Sequence, residues 1–266
     1  MSIERYVKFA MNLLFVGDVV GTAGCMLLRN VLPGVKQRYK IDVCVVNGEN
    51  AADGNGLTPT AAAHIFDSGA DAITGGNHTF RRGEFYEKLD TMPGLLRPGN
   101  YPPGAPGSGL YVIDRGRYCV AVINLMGTVY MEPLDCPFRA LDALLEQADS
   151  PRYCIVDFHA EATAEKRALA CYADGRVSAV VGTHTHVQTA DEQILPAGTG
   201  FITDAGMTGP INSVLGVRSE LAIAKMKNKL PVRFATAEGP CRMNAVVLTL
   251  DDSTGKTTAI ERLNIE

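Results

Sequence analysis

Five short apolar runs in this chain each end on a residue able to ligate a metal, and that pattern constrains the fold more than any other feature. LLFVGD stops at Asp18, VCVVNGEN at Glu49 and Asn50, and DAITGGNH at Asn77 and His78. CIVDFH then stops at His159, and SAVVGTHTH at His184 and His186. A short β-branched run followed by glycine or polar residues reads as a buried strand running into a loop. In an open α/β sheet such strand ends face the crevice where ligands bind. Residues about 170 positions apart are thereby gathered around one point. One Asp, one Glu, two Asn and three or four His make a donor set for two divalent metals, and two metals point to phosphate-ester hydrolysis.

The rest of the chain alternates strand and helix. Strands are expected at 12–17, 43–47, 70–74, 118–124, 153–158 and 177–182, with helices at 22–38, 59–68, 83–90, 138–149 and 161–173 between them. Thr58 and Pro59 open the second helix as N-cap and first position. Alternation of this kind implies parallel strands joined by crossovers. After residue 200 the chain is richer in strand, at 200–203, 244–250 and 257–263. Residues 91–109 carry five Pro and five Gly and fit neither helix nor central strand, so they are expected to form an ordered loop beside the site.

At 266 residues, with 46% hydrophobic and 20% charged residues, the chain has the composition of a soluble α/β protein. The expected organisation is an N-terminal extension over 1–10, ahead of Met11, and a single domain over 11–266. A net charge of −4 argues against a general nucleic-acid surface. A phosphate substrate must then find its positive charge locally, and bound metals could supply it. Seven cysteines without a CxxC pair suit buried free thiols in a reducing cytosol. No run reaches the about 18 apolar residues that a membrane helix needs, so a cytoplasmic protein is expected.

Taken singly, most of these residues have a structural explanation. Asp18 can cap the following helix, and Asn50 can be a turn residue in a glycine-rich loop. Glu49 is the best bridging candidate, because a carboxylate's two oxygens can serve two cations. Asn77 and His78 are adjacent and diverge in extended chain. The Asn oxygen suits a metal, whereas His78 suits proton donation to a leaving alkoxide. His184 and His186, at i and i+2, project to the same side if the chain is extended there. His64, on the second helix, is structural, and Glu161 is expected to favour a helix dipole. Walker, GxGxxG and GxSxG sequences are absent, which removes P-loop, dinucleotide and serine-hydrolase chemistry.

The series D, GEN, GNH, H and GTHTH resembles the calcineurin-like metallophosphoesterase pattern in its YmdB-type branch. The resemblance runs from GDVVGTAG at 17–24 through NGENAADGNGLT, TGGNHTF, LRPGNYP, VDFHAEATAEK and VGTHTHVQTAD to ITDAGMTGP at 202–210. It implies a layered α/β fold with central, largely parallel sheets flanked by helices. It also implies a homo-oligomeric, dinuclear phosphodiesterase for small cyclic nucleotides such as 2′,3′-cyclic AMP, with 3′,5′-cyclic nucleotides as the alternative. By the same resemblance one metal takes Asp18, Glu49, Asn50 and His186. The second shares Glu49 and adds Asn77, His159 and His184, and His78 is the proton donor. Iron is the metal that the resemblance implies, whereas the N/O ligand set alone also admits Mn or Zn.

The expected reaction is in-line attack by a metal-activated hydroxide, with His78 protonating the departing ribose oxygen. The wider superfamily has D-x-H at the first motif and a bridging Asp at the second. Here Val20 and the Glu49–Asn50 pair stand at those positions, and Asn212 stands where an Asp is expected in a PxDS-like segment. The competing reading is a nucleotide or phosphate sensor that keeps its metals and turns over slowly, against which His78 weighs. Recognition of the base is expected from 91–109 or 204–216.

Overall fold

Alternation within the first apolar run explains the architecture. In strand β1 (Ala10–Val16), Leu13 and Phe15 face one hydrophobic cluster while Leu14 and Val16 face another. Successive side chains on a strand point to opposite sides. A strand buried on both sides therefore reads as an unbroken apolar run. The computed structural model describes residues 10–149 and 151–266. Apart from Ala10, which opens β1, the anticipated N-terminal extension lies outside the described residues.

The chain continues through β2 (Asp18–Val19), α1 (Gly21–Arg38), β3 (Val43–Asn47), α2 (Pro59–Asp67) and β4 (Ala72–Thr74). A 3-10 turn at Gly83–Phe85 leads into α3 (Tyr86–Thr91), followed by β5 (Leu110–Asp114), β6 (Cys119–Met126), α4 (Pro137–Gln147) and β7 (Tyr153–His159). Then come α5 (Thr163–Ala173), β8 (Ala179–Thr183), β9 (Gln193–Ile194), β10 (Gly200–Ile202) and β11 (Met207–Pro210). Helix α6 (Ser219–Asn228) and the long hairpin of β12 (Cys241–Asp251) and β13 (Thr257–Ile265) close the chain.

Two sheets result. One is ordered β2-β11-β12-β1-β3-β4, with β13 also on β12, and the other is β5-β6-β7-β8-β10-β9. The strands beside the site, β1-β3-β4 and β6-β7-β8-β10, are parallel. Antiparallel neighbours flank them: β12 on β1, β5 on β6 and β9 on β10. The sheets share an inner core that includes Phe15, Val43 and Val45 from one and Val122, Ile155 and Val181 from the other. Leu28, Leu32 and Ile65 of α1 and α2 cover one outer face. Leu141 and Leu169 of α4 and α5 cover the other. The order of layers is thus helix, sheet, sheet, helix.

Register brings the strand ends to one edge: Val16 pairs with Val46, Asn47 with Thr74, and His159 with Thr183. The expected elements are present with shifted ends. Thr58 caps α2 by accepting from the Ala61 amide at 3.2 Å, and Pro137 rather than Phe138 opens α4. Strands β2, β5, β9 and β11 and helix α6 were not expected; all but α6 are five residues or fewer. In the Pro/Gly-rich segment, Leu95 and Leu96 are buried and Leu96 bonds to Ile73, while Arg97 donates to the carbonyls of Pro98 and Pro106. The cysteines are all free, but only Cys25, Cys44 and Cys154 are buried; Cys119, Cys136 and Cys171 are exposed because they sit at element ends and on an outer helix face. Among the described residues no helix is long and apolar enough to cross a membrane.

Candidate metal centre

Each ligand candidate is set in place by backbone bonds at a strand end. Asp18 donates its amide to the Gly206 carbonyl at 3.0 Å, and a Cβ at Gly17 would collide with that same carbonyl. Glu49 and Asn50 occupy the turn after β3, where the Glu49 amide donates to Asn47 Oδ1 at 3.2 Å. After β4 the chain turns through Gly76, and the His78 amide donates to Glu49 Oε2 at 2.9 Å. His159 is the last residue of β7, and His184 follows β8 directly. Asp18, Glu49, Asn50 and His159 are all essentially buried.

All eight residues singled out in the sequence meet here. Ligand atoms of Glu49, His159 and His184 lie within 4.8 Å of one another, a group able to hold a metal ion. Asn77 Oδ1 lies 2.9 Å from His159 Nε2, and His184 Nδ1 lies 3.1 Å from the same nitrogen. On the other side His186 Nε2 is 3.8 Å from Asp18 Oδ1 and 3.1 Å from Asn50 Nδ2. Glu49 Oε1 touches both groups, at 3.3 Å from His159 Nε2 and 3.1 Å from Asn50 Nδ2. The Asn50 amide turns its NH2 to this cluster and its oxygen to His78 Nδ1 at 2.8 Å. Metal ligation by Asn50 requires the reverse amide orientation, since only the oxygen offers a lone pair.

The two histidines of GTHTH come together by a different route from the one expected. The segment is not extended: His184 has φ +97° and His186 φ +65°. Left-handed backbone at two non-glycine residues is costly and persists only where surroundings enforce it. Thr185 between them donates its amide and hydroxyl to Asp204 Oδ2 at 3.0 and 2.8 Å, and Lys166 Nζ donates to the same oxygen at 2.8 Å. Both charged residues are buried. Removing one partner of such a pair strands the other charge. Lys166→Met is therefore expected to destabilise the protein by about 3–5 kcal/mol in chemical denaturation. Unchanged stability would show that Asp204 needs no counter-ion.

Further residues orient the imidazoles. Thr183 Oγ1 donates to Asp157 Oδ1 at 2.7 Å and lies 2.9 Å from His159 Nδ1. With its single proton committed to Asp157, the threonine oxygen accepts from His159 Nδ1–H, which leaves the Nε2 lone pair for the cluster. Asp157 also accepts from Thr74 and from Asn47 Nδ2, tying the two sheets together at the site. His186 Nδ1 donates to the Leu215 carbonyl at 3.0 Å, again freeing Nε2. Glu161 Oε2 sits 3.1 Å from His184 Nε2. This corrects the helix-dipole reading: α5 starts only at Thr163, and Ala162 before it is extended. Asp157 had a sequence signal, a charged residue inside an apolar strand, whereas Asp204, Thr183 and Leu215 had none. His64 is exposed on α2, outside the cluster.

The electrostatics call for a cation. Burial would raise the Glu49 carboxyl, but the charge and hydrogen bond of His159, with those of His78, outweigh it and hold the group well below the usual range. Burial would lower His159, yet Glu49, Asp18 and Asp157 lift it to about 9. Burial, aided by the His159 charge, pushes His184 down to about 3. Burial pushes the Asp18 carboxyl up. Without metal, a proton on His159 thus partly balances two buried carboxylates, a place that a metal ion would take.

The chemistry and shape of this donor set fit metal ions: buried carboxylates, imidazole nitrogens and the Asn77 amide oxygen converge, and no thiolate is among them. Gly76 supplies the room. A Cβ there would collide with Glu49 Oε2 and the His159 ring. Gly76→Ala is expected to weaken metal affinity about 10- to 100-fold by displacing both ligands, as read by elemental analysis after dialysis. Full retention of metal would refute the need for that space.

Comparison with known proteins places this site in context. The pattern that defines the family described as "YmdB-like protein" matches residues 14–263. The chain is 50% identical to the 2′,3′-cyclic-nucleotide 2′-phosphodiesterase of Bacillus subtilis (strain 168), over 96% of this chain and 97% of that protein. It is similar to the crystal structure of a hypothetical protein from Thermus thermophilus, with TM-score 0.91, 42% identity and 96% and 98% of the two chains covered. It is also similar to the crystal structure of a novel phosphatase from Mycoplasma pneumoniae, with TM-score 0.91, 33% identity and 97% and 94% of the two chains covered.

Proposed function

The chain belongs to the YmdB-like protein family, and from that premise we propose that it is a metal-dependent phosphodiesterase acting on 2′,3′-cyclic nucleotides. Phosphoric ester hydrolysis is the activity its named relatives share. One observation carries the finer reading: seven potential ligands from five strand ends converge, and Glu49 touches both halves of the group. Asp18, Glu49, Asn50 and His186 would hold one metal, and Glu49, Asn77, His159 and His184 the other. Iron is the first choice, with Mn or Zn as alternatives. The family resemblance suggests a homo-oligomer, and the cytoplasm is the location expected from the sequence.

When bound at this centre, metal ions would supply charge stabilisation to phosphate oxygens and would lower the pKa of a water molecule toward neutrality. The chain's own residues do the rest. Thr183, Asp157 and Leu215 fix the tautomers and ring directions of His159 and His186, so that the donor set is ready before substrate arrives. His78, whose side chain is 27% exposed at the edge of the cluster, donates a proton to the leaving ribose oxygen. Water thus adds across the P–O2′ bond, the hydroxyl going to phosphorus and the proton to O2′, and a nucleoside 3′-phosphate is released.

The deciding experiment is turnover of 2′,3′- and 3′,5′-cyclic AMP by metal-loaded protein, with both products identified. Hydrolysis of the 2′,3′ isomer to the 3′-phosphate is expected. Stoichiometric metal without turnover of either isomer would sink the reading in favour of a sensor.

A further inference from the structure

A cavity of about 750 Å³ opens beside the metal-ligand cluster, with Asn50, His78 and His186 on its wall together with Arg81, Arg233 and Phe234. Its size falls within the range of about 300–1,000 Å³ typical of small-molecule sites. Because three residues of the cluster line it, one bound molecule can place a phosphate at the cluster and its remainder here. The loop over 91–109, where base recognition was expected, instead lines a separate cleft through Arg97, Asn100 and Tyr101, which contains none of the eight site residues. The segment 204–216 reaches the cavity only through Leu215 and Gly216.

Three features of the wall suit a nucleotide. Phe234 is 44% exposed although it is one of the large apolar side chains, and Lys225 Nζ lies 4.6 Å from its ring centroid. Its backbone segment is fastened to the site: the Arg218 amide donates to the Ala235 carbonyl at 3.0 Å and the Ala237 amide to the Gly216 carbonyl at 2.8 Å. Gly216 follows Leu215, whose carbonyl holds His186, so the aromatic ring and a metal-ligand candidate share one short scaffold. Charge is the third feature. Arg82 is engaged with the carbonyls of Asn55 and Ala52 and with Asp53. Arg81 and Arg233, by contrast, pair with no carboxylate among the described residues. In a chain of net charge −4 they concentrate positive potential on this wall.

We propose that this cavity is the nucleobase subsite, in which the base stacks on Phe234 while Arg81 and Arg233 draw in the anionic nucleotide. The inference deepens the proposed function and rests on it. Stacking is tolerant of sequence because every base has a π-face. All four bases are therefore accepted, with a modest preference for the larger purines.

The test compares 2′,3′-cyclic AMP with methyl riboside 2′,3′-cyclic phosphate, which lacks a base. Phe234→Ala is expected to lower kcat/KM about tenfold for the nucleotide, chiefly through KM, and to leave the baseless substrate unchanged. Phe234→Trp should restore the nucleotide value. Equal losses on both substrates, or no loss on either, would overturn the subsite. Calorimetric binding of adenosine 3′-monophosphate to metal-loaded wild type and Phe234→Ala separates this proposal from the activity. If the wild type hydrolyses neither substrate, the proposed reaction fails. The subsite then stands on about tenfold weaker binding by the variant and falls on equal affinity.

Discussion

Glu49→Ala is expected to abolish turnover, with kcat falling at least about a thousandfold, and to reduce bound metal from two equivalents to one or none. Glu49 reaches both halves of the cluster, through Oε1 at 3.3 Å from His159 Nε2 and 3.1 Å from the Asn50 amide. Its Oε2 also accepts the His78 amide. Removing it therefore deletes a ligand from each proposed shell and loosens the turn that presents His78. A pair of metals contributes several kcal/mol of charge stabilisation in such reactions, and that accounts for the size of the loss. Metal content and activity should be measured on the same preparation. Two metals with near-normal turnover would remove Glu49 from the bridging role. Glu49→Gln refines the test: it keeps the side-chain volume and one acceptor oxygen, so retention of fold with loss of metal isolates the charge.

His78→Ala should separate chemistry from metal binding. His78 lines the cavity and is partly exposed, unlike the buried His159. A positioned general acid contributes about 10²- to 10⁴-fold, so kcat should fall by that factor while both metals remain. The loss should shrink for a substrate with a good leaving group, such as bis-p-nitrophenyl phosphate, which needs no proton on departure. An equal loss on both substrates would argue against proton donation. Loss of metal would make His78 a ligand and place it with His159 and His184.

Much of this site is legible in the amino-acid sequence because its residues lie at the ends of apolar runs, and strand ends are local events. Asp18, Glu49, Asn50, Asn77, His78, His159, His184 and His186 are all identifiable in that way, and all gather at one edge. What is not legible has a common cause. Lys166 and Asp204 are 38 residues apart. Asp157 joins Asn47 across a separation of 110. No periodicity records contacts at such distances. The extended reading of His184 and His186 fails for the same reason. The left-handed backbone there is held by Asp204 and Lys166, which come from other elements. Arg233 and Phe234 carry no motif either, since their position depends on how Val217 bridges to Thr236.

By itself the sequence determined which residues could ligate metal and that they would stand at strand ends, because hydrophobic runs and their terminators act within a few residues of chain. Tertiary structure alone decided which ligands meet, how their rings are turned, and which cavity adjoins them. Those outcomes depend on two sheets packing across one apolar core, and the free energy of that packing belongs to no single segment.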